Sequence, residues 1–221
     1  VLWDGKIAVV VDKPAGLPTQ APGTAESLET RLRLQFAQRS DYLAFPHRLD
    51  RPVGGLILVA LTKKAARLLT EQFMARKVHK DYLAIVAGRV ERESSVWIDY
   101  LRKIPDQARA EVVPSNLQTN SPSELDEQAK LAETAIEIIR YDERSDRTLL
   151  RLSPVTGRMH QLRVQAASRG FPIIGDILYG GPALQGGPER ILLQAHRLTF
   201  FDPRDSRPVT VTASDTWTES V

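Results

Sequence analysis

The stretch His47-Arg48-Leu49-Asp50-Arg51-Pro52-Val53-Gly54-Gly55, followed by Leu56-Ile57-Leu58-Val59-Ala60-Leu61 and Thr62, joins a charged loop to an apolar run and then to a helix start. Six consecutive apolar residues preceded by two glycines and followed by Thr62 are of strand length and read as a buried strand. Asp50, between Arg48 and Arg51, therefore stands at a strand's mouth. Thr62 is a helix-capping residue. Behind it Ala65, Leu68, Leu69 and Phe73 recur at helical spacing, with Lys63, Lys64, Arg67 and Glu71 opposite, which predicts an amphipathic helix.

Upstream, Ile7 to Val11 is short and β-branched and stops at Asp12-Lys13-Pro14-Ala15-Gly16, a strand running into a turn. Ser27 precedes Leu28, Leu32 and Phe36, a second capped helix that ends near Gln38 to Asp41. Downstream, Tyr82 to Ala87, Val96 to Leu101, Ala108 to Val113, Thr134 to Tyr141 and Thr148 to Leu152 have strand length and pattern, predicting a largely antiparallel sheet. Pro114 to Lys130 is polar and reads as an exposed loop. Gly157 to Arg169 reads as a helix closed by Gly170, with Met159, Leu162 and Ala166 on one face and His160 and Arg163 on another. These elements predict the α+β class in a single domain spanning residues 1–221, with no separate N-terminal domain expected in the chain.

The 221 residues are 42% hydrophobic and suffice for a real core. Without cysteine there is no disulfide framework, thiolate metal site or cysteine nucleophile, which fits a cytoplasmic chain. The longest apolar runs fall far short of a membrane helix, so no membrane partner is expected. A net charge of +3 permits a polyanionic partner without identifying one.

Three segments can carry chemistry. In the first, Asp50 lies between two guanidinium groups. Taken alone, such an acid is more often a salt-bridged loop residue than a catalyst. In the second, Lys80-Asp81-Tyr82 opens a strand, where a tyrosine is ordinarily a rim or core aromatic. In the third, Thr156-Gly157-Arg158-Met159-His160-Gln161-Leu162-Arg163 gathers cations at a helix start, by themselves most simply a solvated basic face.

Together these segments resemble the RluA family of pseudouridine synthases. The resemblance begins at Val10-Val11-Asp12-Lys13-Pro14-Ala15-Gly16-Leu17, passes through His47 to Asp50, Lys80 to Gly88 and Thr156 to Val164, and runs into Gly170 to Gly180. It implies a mixed, mainly antiparallel sheet with flanking helices and an RNA-binding cleft. It implies Asp50 as catalytic acid, Tyr82 as the tyrosine that stacks on the target base and takes its C5 proton, and Arg163 as the cation paired with Asp50. Arg48, His47, Arg158 and His160 would contact substrate. The substrate would be ribosomal or transfer RNA and the enzyme a monomer working without cofactor, because moving uracil from an N1 to a C5 link needs neither a redox partner nor a group donor. Asp50 would act as nucleophile at C1′ or as base at C2′.

Some positions depart from the family pattern. Met159 stands where threonine or serine is usual, Arg51-Pro52-Val53 replaces a Thr-Ser-Gly ending, and Gln165 replaces a frequent histidine. A glycosidase using Asp50 and Asp176 lacks support, since Asp176 after Gly175 reads as a turn residue. A kinase-like reading of His47 to Asp50 lacks the glycine-rich loop and Asp-Phe-Gly, and the four histidines lack zinc spacing. The rival of a different class is a noncatalytic RNA-binding protein of the same fold.

Overall fold

The structure is a computed structural model describing residues 1–91, 95–113, 129–184 and 190–214. In chain order the elements are β1 (Trp3–Asp4), β2 (Ala8–Lys13), α1 (Leu28–Gln35), β3 (Gly54–Ala60), α2 (Lys63–Met74), β4 (His79–Ala87), β5 (Val96–Lys103), β6 (Ala110–Val113), β7 (Lys130–Asp142), β8 (Arg147–Pro154), α3 (Gln161–Ser168), a 3-10 turn (Ile177–Tyr179), β9 (Leu193–Phe201) and β10 (Pro208–Thr212). They fall into two compact units. One comprises Val1–Leu83 with the described residues from Leu184 onward, and the other Ala84–Ala183.

In the first unit the strand order is β1-β2-β3-β9-β4, with β10 beside β9. The β1–β2, β2–β3 and β9–β10 pairs are antiparallel. The β3–β9 pair is parallel, through Gly54 with Gln194 and Gly55 with Ala195. Ala8 to Val11 and Leu56 to Ala60 are buried on both faces, which is why both strands read as unbroken apolar runs rather than alternating ones. Gly55 has φ +108°, and a Cβ there would sit 2.3 Å from the Ala195 carbonyl oxygen, so glycine alone lets β9 approach.

In the second unit the order is β4-β8-β7-β5-β6, antiparallel at β7–β8, β5–β7 and β5–β6. The long β7 carries a register shift between Ile138 and Arg140. The expected α+β class with a mainly antiparallel sheet is what the chain forms.

The capped helices form where their capping residues stand. Ser27 Oγ accepts the Thr30 N–H and Thr30 Oγ1 accepts the Ser27 N–H, a reciprocal box at the start of α1. Thr62 Oγ1 accepts the Ala65 N–H at the start of α2. Helix α1 ends at Gln35, before the polar stretch expected to close it.

The third helix differs from its sequence reading. It starts at Gln161, not Gly157, because His160 adopts a left-handed φ of 52° and the Gln161 N–H closes a turn onto the Arg158 carbonyl. All of Gln161 to Ala166 is buried, so the single apolar face inferred from Met159, Leu162 and Ala166 does not exist. Gly170, at φ +80°, does lie just past the end. Of the loop expected over Pro114 to Lys130, residues 114–128 lie outside the described residues, and Lys130 opens β7.

Candidate active site

Asp50 is held through the main chain on both sides. Before it, Thr19 Oγ1 accepts the Leu49 N–H at 3.2 Å and donates to the Leu49 carbonyl at 2.9 Å. After it, the Arg51 carbonyl accepts the Gly16 N–H at 2.8 Å and Lys13 Nζ at 3.3 Å, while Arg51 Nε returns a bond to the Gly16 carbonyl. The Val53 N–H closes a turn onto the Asp50 carbonyl. The early Lys13 to Leu17 turn and the Asp50 loop, 38 residues apart at Lys13 and Arg51, are thus laced together.

Lys13 is the anchor of that lacing. It is fully buried, and its ammonium also donates to the carbonyls of Leu17 at 2.6 Å and Pro14 at 3.0 Å. Burial pulls its pKa down to about 8, against the upward pull of the Asp50 charge. No periodicity marks this lysine as buried; it sits at the end of an apolar strand and looks like an ordinary turn cation.

Tyr82, in the first turn-free stretch of β4, is half-buried. Burial raises its phenol pKa and the Asp50 charge raises it further, so the ring stays neutral at physiological pH. His47 Nε2 accepts the Leu58 N–H at 2.9 Å and its ring lies on Phe73, with centroids 4.9 Å apart. Burial, aided by the Lys80 charge, lowers its pKa to about 3, which makes it a neutral acceptor that ties the loop to β3. Arg48 projects from the same loop and is exposed.

In the second unit Arg163 is buried rather than part of a solvated face. Its Nε donates to Asp176 Oδ2 at 2.7 Å and its Nη2 to Asp176 Oδ1 at 2.8 Å, a bidentate pair. The Arg163 guanidinium carbon lies 5.1 Å from the Tyr179 ring centroid, and that of Arg109 lies 5.3 Å from it. The Tyr179 hydroxyl accepts the Ala110 N–H at 2.9 Å and is 2.9 Å from His160 Nδ1. His160 and Arg163 do meet, by way of Tyr179 and not through helical stacking. The reading of Asp176 as a turn residue holds for its backbone, whose carbonyl accepts from Tyr179 and Gly181, and misses its buried carboxylate.

A polar chain runs along the start of α3. Gln161 Oε1 accepts the Arg158 N–H at 3.0 Å and the Thr156 hydroxyl at 2.8 Å; its Nε2 donates to the Glu133 carbonyl and to Thr134 Oγ1. Thr134 in turn donates to Gln165 Oε1 at 2.7 Å, and Gln165 Nε2 donates to Asp99 at 2.7 Å. Gln165, standing in place of a frequent histidine, is thus a fully buried amide needed as acceptor and donor at once. Arg158 is exposed, with Nε on the Leu131 carbonyl at 2.9 Å. Lys13, Gln161, Asp176 and Tyr179 carry this geometry, and sequence reasoning gave none of them a role.

The sequence pattern of the family described as RNA pseudouridylate synthase matches residues 7–168, a span holding Asp50, Tyr82 and Arg163. The dual-specificity RNA pseudouridine synthase RluA of Yersinia pestis is 34% identical over 95% of each chain. The ribosomal large subunit pseudouridine synthase C of Haemophilus ducreyi is 33% identical over 96% of this chain and 64% of its own length. Among solved structures, human RNA pseudouridylate synthase domain containing 1 superposes with a TM-score of 0.74 at 26% identity, covering 99% of this chain and 84% of its own. Human RNA pseudouridylate synthase domain containing 4 shares the fold with a TM-score of 0.77 at 23% identity, covering 97% and 87%. With the pattern, the sequence identity and the fold in agreement, the chain belongs to the RluA family of RNA pseudouridine synthases.

Proposed function

We propose that this isomerase converts uridines of folded ribosomal or transfer RNA to pseudouridine, with Asp50 as the reacting carboxylate, Tyr82 stacked on the target base and Arg163 as the cationic partner of Asp50. The observation that carries the reading is the fixing of Asp50: both neighbouring peptide groups are clamped, so its carboxylate is presented on a rigid loop beside a neutral, half-buried tyrosine.

The chemistry asks for that arrangement. A stacked uridine must leave its helix, at a cost of about a few kcal/mol, and enter a pocket that stacks on it. The N1–C1′ bond then breaks, uracil turns, a C5–C1′ bond forms, and the proton lost from C5 is balanced by the one gained at N1. Asp50 serves either by attacking C1′ or by removing the C2′ proton and returning it. Tyr82 enters as a neutral phenol, so its first contribution is its ring face rather than a preformed phenolate.

Arg48 and Arg158, both exposed, suit contacts with phosphates, which supply most RNA affinity. His160 joins them from its strained turn. His47, with Nε2 committed to Leu58, supports substrate binding by holding the loop that bears Arg48. Both units belong to one catalytic domain in this reading, which the family match across 7–168 supports. The enzyme acts as a monomer in the cytoplasm; among the described residues no helix is long and apolar enough to cross a membrane.

The test is to incubate the parent protein and Asp50→Asn with RNA from cells lacking the enzyme, then map pseudouridine by chemical labelling and sequencing. New sites are expected from the parent only, with the variant slower by on the order of 10,000-fold. An active Asp50→Asn would remove Asp50 from its role. Salt-sensitive RNA binding by the parent without any new pseudouridine would point to a noncatalytic RNA-binding protein.

A further inference from the structure

The run Gly175-Asp176-Ile177-Leu178-Tyr179-Gly180-Gly181 lies beyond residue 168, where the family match ends, and no role assigned above uses it. Its two polar side chains nevertheless face inward, Asp176 with 2% and Tyr179 with 8% of its surface exposed. We propose that Asp176 is a positioning residue for the isomerisation: its buried carboxylate fixes the plane of the Arg163 guanidinium against Tyr179, so that Arg163 serves the reacting carboxylate in one orientation. The proposal rests on the reading of Arg163 as the partner of Asp50.

The contact itself is directional. Asp176 takes the Nε and Nη2 edge of Arg163 with two bonds of 2.7 and 2.8 Å, and a bidentate fork sets the rotation of the guanidinium as a single contact does not. That edge is thereby committed, and Nη1 is the one nitrogen Asp176 does not use.

Asp176 is itself held. Its carbonyl accepts the N–H groups of Tyr179 at 3.0 Å and Gly181 at 2.8 Å, and its own N–H bonds the Ile173 carbonyl at 3.0 Å. A Cβ at Gly181 would stand 2.1 Å from that Ile173 carbonyl oxygen, so the turn closes tightly around the acid. Tyr179 completes the seat. Its ring packs with Leu101, Ala132 and Val164 in a core cluster, its hydroxyl is fastened to Ala110 and His160, and its face receives Arg163.

Burying an ion pair is a poor way to gain stability, because the cost of desolvating both charges offsets most of their attraction. A turn that needed only to fold would be served as well by apolar side chains at 163 and 176. The pair makes sense where the direction of a buried cation matters.

The experiment is a double-mutant cycle on the whole protein with Asp176→Asn, Arg163→Lys and the double variant, reading single-turnover rate, RNA affinity and thermal unfolding. Arg163→Lys keeps the charge and loses the fork. Asp176→Asn is expected to slow turnover about 100-fold, with RNA affinity changed by less than about threefold, and the double variant to be no slower than Arg163→Lys alone. A merely structural role for Asp176 would lower the melting temperature without this split between rate and affinity. A parental rate in Asp176→Asn, a parental rate in Arg163→Lys, or losses that multiply in the double variant would each overturn the proposal. Arg163→Met tests the reading underneath: parental turnover there removes Arg163 from the reaction and the proposal with it, whereas an inactive Arg163→Met beside a fully active Asp176→Asn removes the proposal alone. Should Asp176→Asn not fold, Asp176→Glu gives the same answer by displacing the carboxylate one methylene, a slowed enzyme supporting the proposal and a full-rate one overturning it.

Discussion

Asp50 and Arg163 are held by different parts of the chain around them. Thr19 grips both polar groups of Leu49, and Lys13 and Gly16 share the carbonyl of Arg51, so the Asp50 loop is fixed by its neighbours' backbone. Arg163 is fixed by its own side chain, through the Asp176 fork and the Tyr179 face, on a helix whose first turn is seated by the amide of Gln161. A backbone clamp is indifferent to the side chains it passes. This explains how Pro52 and Val53 are accommodated after the acid, while Arg51 adds a side-chain bond of its own to the Gly16 carbonyl. A side-chain network has no such tolerance, since each member is both donor and acceptor for particular partners.

The largest effect that would sharpen this contrast is expected at Gln161. Leucine there keeps the volume and removes one hydrogen bond from each of four polar groups, the Arg158 N–H, the Thr156 and Thr134 hydroxyls and the Glu133 carbonyl. A loss of about 3–4 kcal/mol in urea unfolding is expected, together with slower turnover as the turn bearing Arg158 and His160 loosens. A change below about 1 kcal/mol would break the claim that this side chain organises the helix start.

Thr19→Val comes next. The substitution is nearly isosteric and leaves the buried Leu49 N–H and carbonyl without their partner, at about 2 kcal/mol, while Thr19→Ser keeps the hydroxyl and should cost less than about 1. Urea midpoints of the two variants decide it, and an unchanged midpoint in Thr19→Val beside a loss in Thr19→Ser would show that the methyl group, not the clamp, matters.

The same contrast explains what the sequence shows and what it hides. Strands β2 and β3 are legible because burial on both faces leaves an unbroken apolar run, and α1 and α2 because Ser27 and Thr62 stand at their starts. Asp50 stands out as a candidate because the His47 to Asp50 run falls in order with the other segments that carry the family resemblance. Lys13 and Gln161 are not, because what distinguishes them is burial at places where periodicity gives no signal: the end of a strand, and a helix covered all round. Asp176 and Tyr179 are hidden differently. Their partner Arg163 is 13 residues away from Asp176 in sequence, and only the fold brings an apparent turn residue onto an apparent surface cation. The false start of α3 has a local cause, since a left-handed histidine leaves no mark in the pattern of apolar residues.

An effect of similar size that appears only on acidification concerns His47, whose ring ties the loop of the first unit to β3. With a folded pKa of about 3 against about 6.5 unfolded, His47 is neutral in the folded protein while the unfolded chain takes up a proton below pH 6.5. The unfolded state then binds more protons, so this contribution is complete above pH 6.5 and is lost as pH falls toward 3. At pH 5 the loss relative to pH 8 is about 2 kcal/mol. His47→Gln offers an acceptor to the Leu58 N–H without a titrating proton, so its urea midpoint should fall less between pH 8 and pH 5 than the parent's. Parallel curves would assign the acid sensitivity to groups other than His47.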